Sequence, residues 1–202
     1  MARPLIPVDE ILDRALALLD EEGAEALSAR RLAGDLKIST RTLYQQVGNR
    51  EALIRALVAR HFENLRLEFQ DMGAWESTAL NWCLTLRDTL RAHPYLTELM
   101  SFADRRVIVE YVGDLVKAAR RVGIPAETAA QCCRALVNVT VNHTIVEVRA
   151  LHEPSPSSDH LAEAEYMANN LPITIRWILA GVDNELRHDA AAADTRRSRR
   201  RE

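Results

Sequence analysis

Residues Ser28 to Arg50, SARRLAGDLKISTRTLYQQVGNR, hold two short helical patterns on either side of a tight turn. Leu32, Ala33 and Leu36 fall on one face of a first helix, Ile38 fits the turn, and Leu43 and Val47 fall on one face of a second. Neither face buries much by itself, so the two are satisfied by meeting in one small core. Ser28 stands immediately before the first helix and Ser39 or Thr40 before the second, where a hydroxyl accepts a hydrogen bond from an unpaired first-turn amide. Two capped helices a few residues apart are the skeleton of a helix-turn-helix.

What such a fold leaves outward on the second helix is Thr40, Arg41, Thr42, Tyr44, Gln45 and Gln46, a set rich in groups that hydrogen-bond to bases and phosphates. The net charge of −3 is unevenly spread. From Val8 to Glu25 the acids Asp9, Glu10, Asp13, Asp20, Glu21, Glu22 and Glu25 face Arg14, whereas from Ser28 to Arg50 the bases Arg30, Arg31, Lys37, Arg41 and Arg50 face Asp35. A local basic patch is what phosphate contact requires. The expectation is that Arg41, Thr42 and Gln45 or Gln46 read base edges while Ser28, Thr40, Tyr44 and Arg50 hold phosphates of a double-stranded operator. One of the two glutamines is expected merely to solvate the helix.

The segment resembles the DNA-binding domain of the tetracycline-repressor (TetR) family of bacterial transcription regulators. The resemblance rests on Leu32-Ala33, Ile38-Ser39, Thr42-Leu43-Tyr44, Val47 and Asn49-Arg50-Glu51-Ala52-Leu53. It implies a leading helix, here Val8 to Glu22, and a fourth helix, here Asn49 to about Phe69, joined to a helical ligand-binding domain. It also implies that Tyr44 and Arg50 clamp the DNA backbone and that two C-terminal helices dimerise as a four-helix bundle. The chain departs from the family at Lys37, where Gly is common and suits a positive φ best, and at Val47 and Arg50, where many members carry Phe and Lys.

Beyond the motif, helical patterns broken by Gly, Pro or Ser clusters run throughout, without an alternating strand, so the fold class is all-α. Trp75 to His93 reads as one helix, Pro94 to about Phe102 as a short one, Asp104 to Val122 as a third, and Pro125 to about Leu151 as a long one. Asp159 to Asn170 and Pro172 to about His188 follow, with Pro172 starting the last helix or kinking a longer one. The domains expected are 1–50 for DNA binding, 51–189 for ligand binding and dimerisation, and 190–202 as a disordered basic tail carrying Arg196, Arg197, Arg199, Arg200 and Arg201.

The helix from Pro125 and the last helix are apolar on more than one face, which calls for burial on two sides. A homodimer meets that need, and a monomer with both faces covered is the alternative. Trp82, Leu86, Met100, Phe102, Tyr111, Asn138 and Asn142 mix apolar area with polar anchors as small-molecule pockets do, and each is equally an ordinary core or interface residue. His143 and Glu147, four apart, have the spacing of a metal pair but only distant Cys132 or Cys133 as a third ligand, and read better as helix or interface hydrogen-bonding groups. No metal or cofactor is called for.

With 48% hydrophobic residues over 202, the chain can bury a substantial core. No apolar run is long enough to span a bilayer and the N-terminus lacks a signal-like apolar stretch, so a cytoplasmic protein with reduced cysteines is expected. The reading is therefore a regulator, a repressor released from a palindromic operator by a small-molecule effector. A constitutive DNA binder without a ligand is the near alternative. An all-helical enzyme is the remote one, since the chain has no GxGxxG, GKS/T, GxSxG or HExxH.

Overall fold

A computed structural model describes residues 6–67, 70–99, 112–152 and 155–199, and within them the secondary structure is helical. The helices are α1 (Val8–Glu22), α2 (Ala29–Asp35), α3 (Thr40–Val47), α4 (Arg50–Leu67), α5 (Trp75–Ala92), α6 (Pro94–Leu99), α7 (Gly113–Arg121), α8 (Ala126–Leu151) and α9 (Ser158–Arg199), with a 3-10 turn at Ala24–Ala26. The all-α expectation holds.

The first four helices share one core. Ile11, Leu12, Ala15, Leu18 and Leu19 of α1 are buried with Leu32 and Ala33 of α2, Leu43 of α3 and Leu53 and Leu57 of α4. The turn between α2 and α3 is built on Lys37 at φ 55°, with Lys37 N–H donating to the Gly34 carbonyl (3.1 Å) and Ile38 N–H to the Ala33 carbonyl (2.9 Å). That pair of bonds is a Schellman ending, which needs a left-handed residue at the position Lys37 occupies.

The longer helices form a second layer. α8 packs against α5, α6, α7 and α9, burying Ala129, Cys132, Cys133, Leu136, Val137, Val141 and Val148. Cys83 of α5 is buried with them, and burial pushes the Cys83 and Cys133 thiols up to about 12 and that of Cys132 up to about 11. A buried ion cluster ties α5 to α8: Arg87 grips Glu147 through Nε (2.8 Å) and Nη2 (2.6 Å), Arg91 Nε adds a third contact at 3.2 Å, and Glu147 is 3% exposed.

The joint between the layers is made at the far end of α5. His93 Nδ1–H donates to Asp20 Oδ2 of α1 (2.7 Å), and His61 Nε2–H of α4 donates to the Thr89 carbonyl (3.1 Å). The rings of His61 and His93 meet edge-on at 4.8 Å. Arg60 reaches from α4 to Asp13 of α1 (2.5 Å), and the Tyr95 ring of α6 lies close over Gly23.

Of the two readings of Pro172, the one longer helix is the one observed, and one boundary, at its C-terminal end, differs from the sequence reading. Asp159–Asn170 and Pro172–His188 are one helix, with Pro172 inside it; Leu171, Ile175 and Leu179 are buried on either side of the proline and hold the helix together across the missing N–H. The same helix runs on to Arg199 where a disordered tail is expected from residue 190, because Ala190 to Ala193 have the strongest intrinsic helix preference and extend a helix already nucleated. The short helix from Pro94 is described as far as Leu99 and the expected helix from Asp104 only as Gly113–Arg121, the residues between lying outside the described residues.

Candidate nucleic-acid interface

Helix capping sets the geometry of the reading surface. Ser28 Oγ accepts from Arg31 N–H (3.3 Å) at the start of α2, and Ser39 Oγ accepts from Thr42 N–H (3.0 Å) at the start of α3. Of the two candidates for the second cap, Ser39 takes the position and Thr40 becomes the first residue of α3. Asn49 Oδ1 accepts from Ala52 N–H (2.8 Å) and caps α4. Between α3 and α4, Gly48 has φ 82° and a Cβ there would meet Ala52 at 3.2 Å, so this turn is specific for glycine.

The period of α3 then sorts its side chains. Leu43 is buried and Val47 and Gln46 are half-buried against the core, while Thr40, Arg41, Tyr44 and Gln45 are exposed on the opposite side. Ser28 and Arg50 are exposed at the two flanks. Thr42 is half-buried and its hydroxyl is held by Ser39 Oγ at 2.8 Å. The two glutamines are separated as well. Gln45 is exposed, whereas the Gln46 Nε2 is buried with no hydrogen-bond partner.

Electrostatics sharpens this face. Asp35, the acid of the segment, receives Arg14 through Nε (2.9 Å) and Nη2 (2.7 Å), and this guanidinium holds the carboxyl below the usual range. Arg31 is drawn back to Glu22 (2.9 Å) and Asp35 (3.4 Å). Among the described residues Arg30, Arg41 and Arg50 are exposed and make no ion pair, so the positive potential is concentrated on them. Arg30, in the first turn of α2 beside Ser28, was not distinguished from Arg31 by sequence; only their different partners separate them.

Of the residues expected to line a ligand pocket, four are described, and the two on α5 lie apart in environment from the two on α8. Trp82 and Leu86 are buried in the core on α5 (5% and 0% exposed). Asn138 and Asn142 are exposed on the outer side of α8, with Asn142 Nδ2 donating to the Asn138 carbonyl at 2.8 Å. Met100, Phe102 and Tyr111 lie outside the described residues. Of the pair with metal-type spacing, His143 Nδ1–H donates to the Val139 carbonyl (2.9 Å) while Glu147 is held by Arg87 and Arg91. That is the hydrogen-bonding alternative.

Comparison with known proteins places the motif. Residues 11–57 match the family model described as bacterial regulatory proteins, tetR family. An HTH-type transcriptional regulator of Saccharopolyspora erythraea is 29% identical over 99 residues, covering 49% of this chain and 42% of the relative. The tetracycline repressor protein class E of Escherichia coli is 35% identical over 97 residues, covering 46% and 44%. The chain thus matches less than half the length of these relatives. Mycobacterium smegmatis BioQ, a protein also solved with its double-stranded DNA operator, shares the fold over 88% of this chain and 98% of its own, with a TM-score of 0.68 and 24% identity. The two-layer helical fold agrees with these solved structures, and residues 11–57 match the DNA-binding domain described by the tetR family model.

Proposed function

We propose that this protein is a sequence-specific DNA-binding transcriptional regulator, a homodimeric repressor that a small-molecule effector releases from a palindromic operator. Residues 1–50 read the DNA, and residues 51–189 dimerise and receive the effector. The observation that carries the reading is the outward face of α3, where exposed Thr40, Arg41, Tyr44 and Gln45 stand between exposed Ser28 and Arg50, with the neighbouring acid already neutralised by Arg14. Arg41, Gln45 and the Thr42 methyl meet base edges; Ser28, Thr40, Tyr44 and Arg50 meet phosphates. Gln46 supports α3 from its inner side.

Dimerisation is supported by the outer side of α8 and α9. On α9 Trp177 is 68% exposed, Tyr166 58% and Leu161 50%, and Ile173 of the same helix and Val146 of α8 are exposed as well, apolar area of the kind a second copy covers. Asn138 and Asn142 belong to this side and are assigned to the mate. A two-fold axis through it presents both α3 helices to major-groove faces about 34 to 36 Å apart.

The effector acts through α5. A ligand beside Trp82 and Leu86 displaces a helix whose other end is tied to α1 and α4 by His93 and Thr89. A differential affinity of about 1 to 3 kcal/mol between the two states changes operator affinity by up to a hundredfold. The names of the relatives, tetracycline repressors among them, agree with this type of control.

The test is selection of random duplexes by the purified chain at near-physiological salt, followed by sequencing. A palindrome is expected, and Arg41→Ala is expected to lose about 1 to 3 kcal/mol of affinity and relax preference at one position. Recovery of no motif, with retention that vanishes as salt rises, refutes it.

A further inference from the structure

The first turn of α2 carries two adjacent arginines that the fold treats differently. Arg30 is exposed and makes no ion pair among the described residues, whereas Arg31 Nη2 donates to Glu22 Oε1 (2.9 Å) and Arg31 Nε lies 3.4 Å from Asp35 Oδ1. The Arg31 N–H donates to Ser28 Oγ (3.3 Å), so this arginine starts beside a residue assigned above to a phosphate. Its guanidinium is nonetheless turned back toward α1.

Of its two acids, Glu22 is the one that holds it. Asp35 already accepts Arg14 Nε (2.9 Å) and Nη2 (2.7 Å), and that guanidinium keeps the Asp35 carboxyl below the usual range. What Asp35 leaves for Arg31 is the longer contact. Glu22 itself serves α1 poorly. It is the last residue of that helix, in a last turn without a base, where a negative charge opposes the helix dipole. Its place is fixed from behind, since Asp20 receives His93 Nδ1–H (2.7 Å) and Gly23 lies under the Tyr95 ring. An acid kept where its own helix disfavours it acts on the arginine it faces.

We propose that Glu22 limits DNA affinity by holding Arg31 off the phosphate beside Ser28. The proposal rests on the DNA-binding reading above and adds to it a residue, outside the helix-turn-helix, that sets how many cations the duplex meets. Arg30, Arg41 and Arg50 are available at once, while Arg31 stays on the carboxylate in the wild-type complex. Carboxylate and phosphate suit the same forked donor, so either can take it. The pair is 51% and 44% exposed, which leaves it open to a competing anion.

The test measures the affinity of the full chain for a fluorescent duplex of random sequence at several salt concentrations between about 50 and 200 mM. Glu22→Gln is expected to bind about three- to fivefold more tightly at the lowest salt. It is also expected to steepen the plot of log K against log salt by about 0.9, the increment for one more neutralised phosphate. In a chain already carrying Arg31→Ala the same substitution is expected to leave the slope unchanged. Glu25→Gln removes an exposed acid that has no ion pair among the described residues, and its slope is expected to match wild type. Salt-dependent binding by wild type with the same slope in Glu22→Gln overturns this proposal alone. So does a steeper slope that appears equally in Glu25→Gln or without Arg31, because charge removal then acts from a distance. Wild type that binds no duplex at any salt overturns the DNA-binding reading and this proposal with it.

Discussion

His93 Nδ1 lies 2.7 Å from Asp20 Oδ2, and this contact joins the residue that caps the end of α5 to the last turns of α1 in the N-terminal domain. Both side chains are about a third exposed or less, so the bond is neither fully screened nor fully desolvated. A double-mutant cycle with Asp20→Asn and His93→Gln, read by urea unfolding, is expected to give a coupling of about 0.5 to 1 kcal/mol. Strictly additive single effects would mean that the joint is held elsewhere, by Arg60 and Tyr95.

His61, packed edge-on against His93, is pushed down to about 4 by burial and by the neighbouring imidazole, despite the Thr89 carbonyl it donates to. The unfolded chain binds a proton at His61 below about pH 6.5 while the folded chain does not until about pH 4, so stability falls as pH drops through that window and is unaffected above it. The contribution is on the order of 2 to 3 kcal/mol at the acid end. Thermal unfolding from pH 7 to 4.5 should show a steeper fall in Tm for wild type than for His61→Gln; parallel curves would assign the acid sensitivity to other groups.

Lys37 holds the left-handed position of the α2 ending at φ 55°. Glycine adopts this conformation without the Cβ clash, and its larger unfolded-state entropy offsets part of the gain, so Lys37→Gly is expected to stabilise by about 0.5 to 1 kcal/mol. Lys37→Ala removes the same charge and should give no such gain. Matching chemical-denaturation midpoints for the two variants would show that charge rather than backbone strain sets the effect.

Glu147 is buried under two arginines. Glu147→Ala strands those cations and is expected to cost about 3 to 5 kcal/mol, whereas replacing Glu147 and Arg87 together by methionine should cost much less. Equilibrium unfolding of both variants decides it, and equal losses would show that packing, not charge pairing, governs the site.

Trp177→Glu places a carboxylate on the exposed apolar side of α9. Light scattering after gel filtration is expected to find the wild-type 22.7 kDa chain as the proposed dimer and the variant as a monomer. A variant that dimerises as wild type does would move the interface away from this side.

The motif was legible because capping, turn and apolar period are all local: Ser28, Ser39, Leu43 and the strained Lys37 turn announce themselves within four residues of their partners. The joint between layers was not. Asp20 belongs to a visibly acidic helix, yet its partner His93 is 73 positions away, and Asp9 and Asp13 likewise meet Arg60 across the chain. The fate of Arg31 was hidden by a turn rather than by distance: its adjacency to Arg30 suggests equal roles until Glu22, nine positions back across the 3-10 turn, claims it. Asn138 and Asn142 were ambiguous for a different reason, since α8 is apolar on several sides and one strand of sequence does not say which of them faces out. The α9 extension was misjudged because a charged end outweighed the alanines before it.

The three thiols between α5 and α8 turn the chain into its own clock. Each is buried and holds its proton far above neutral pH, so a disulfide reagent meets neither an accessible sulfur nor a thiolate until the two helices part. The rate at which the chain is labelled therefore counts openings of the layer that links α5 to α8, and anything that braces that layer lengthens the interval between ticks.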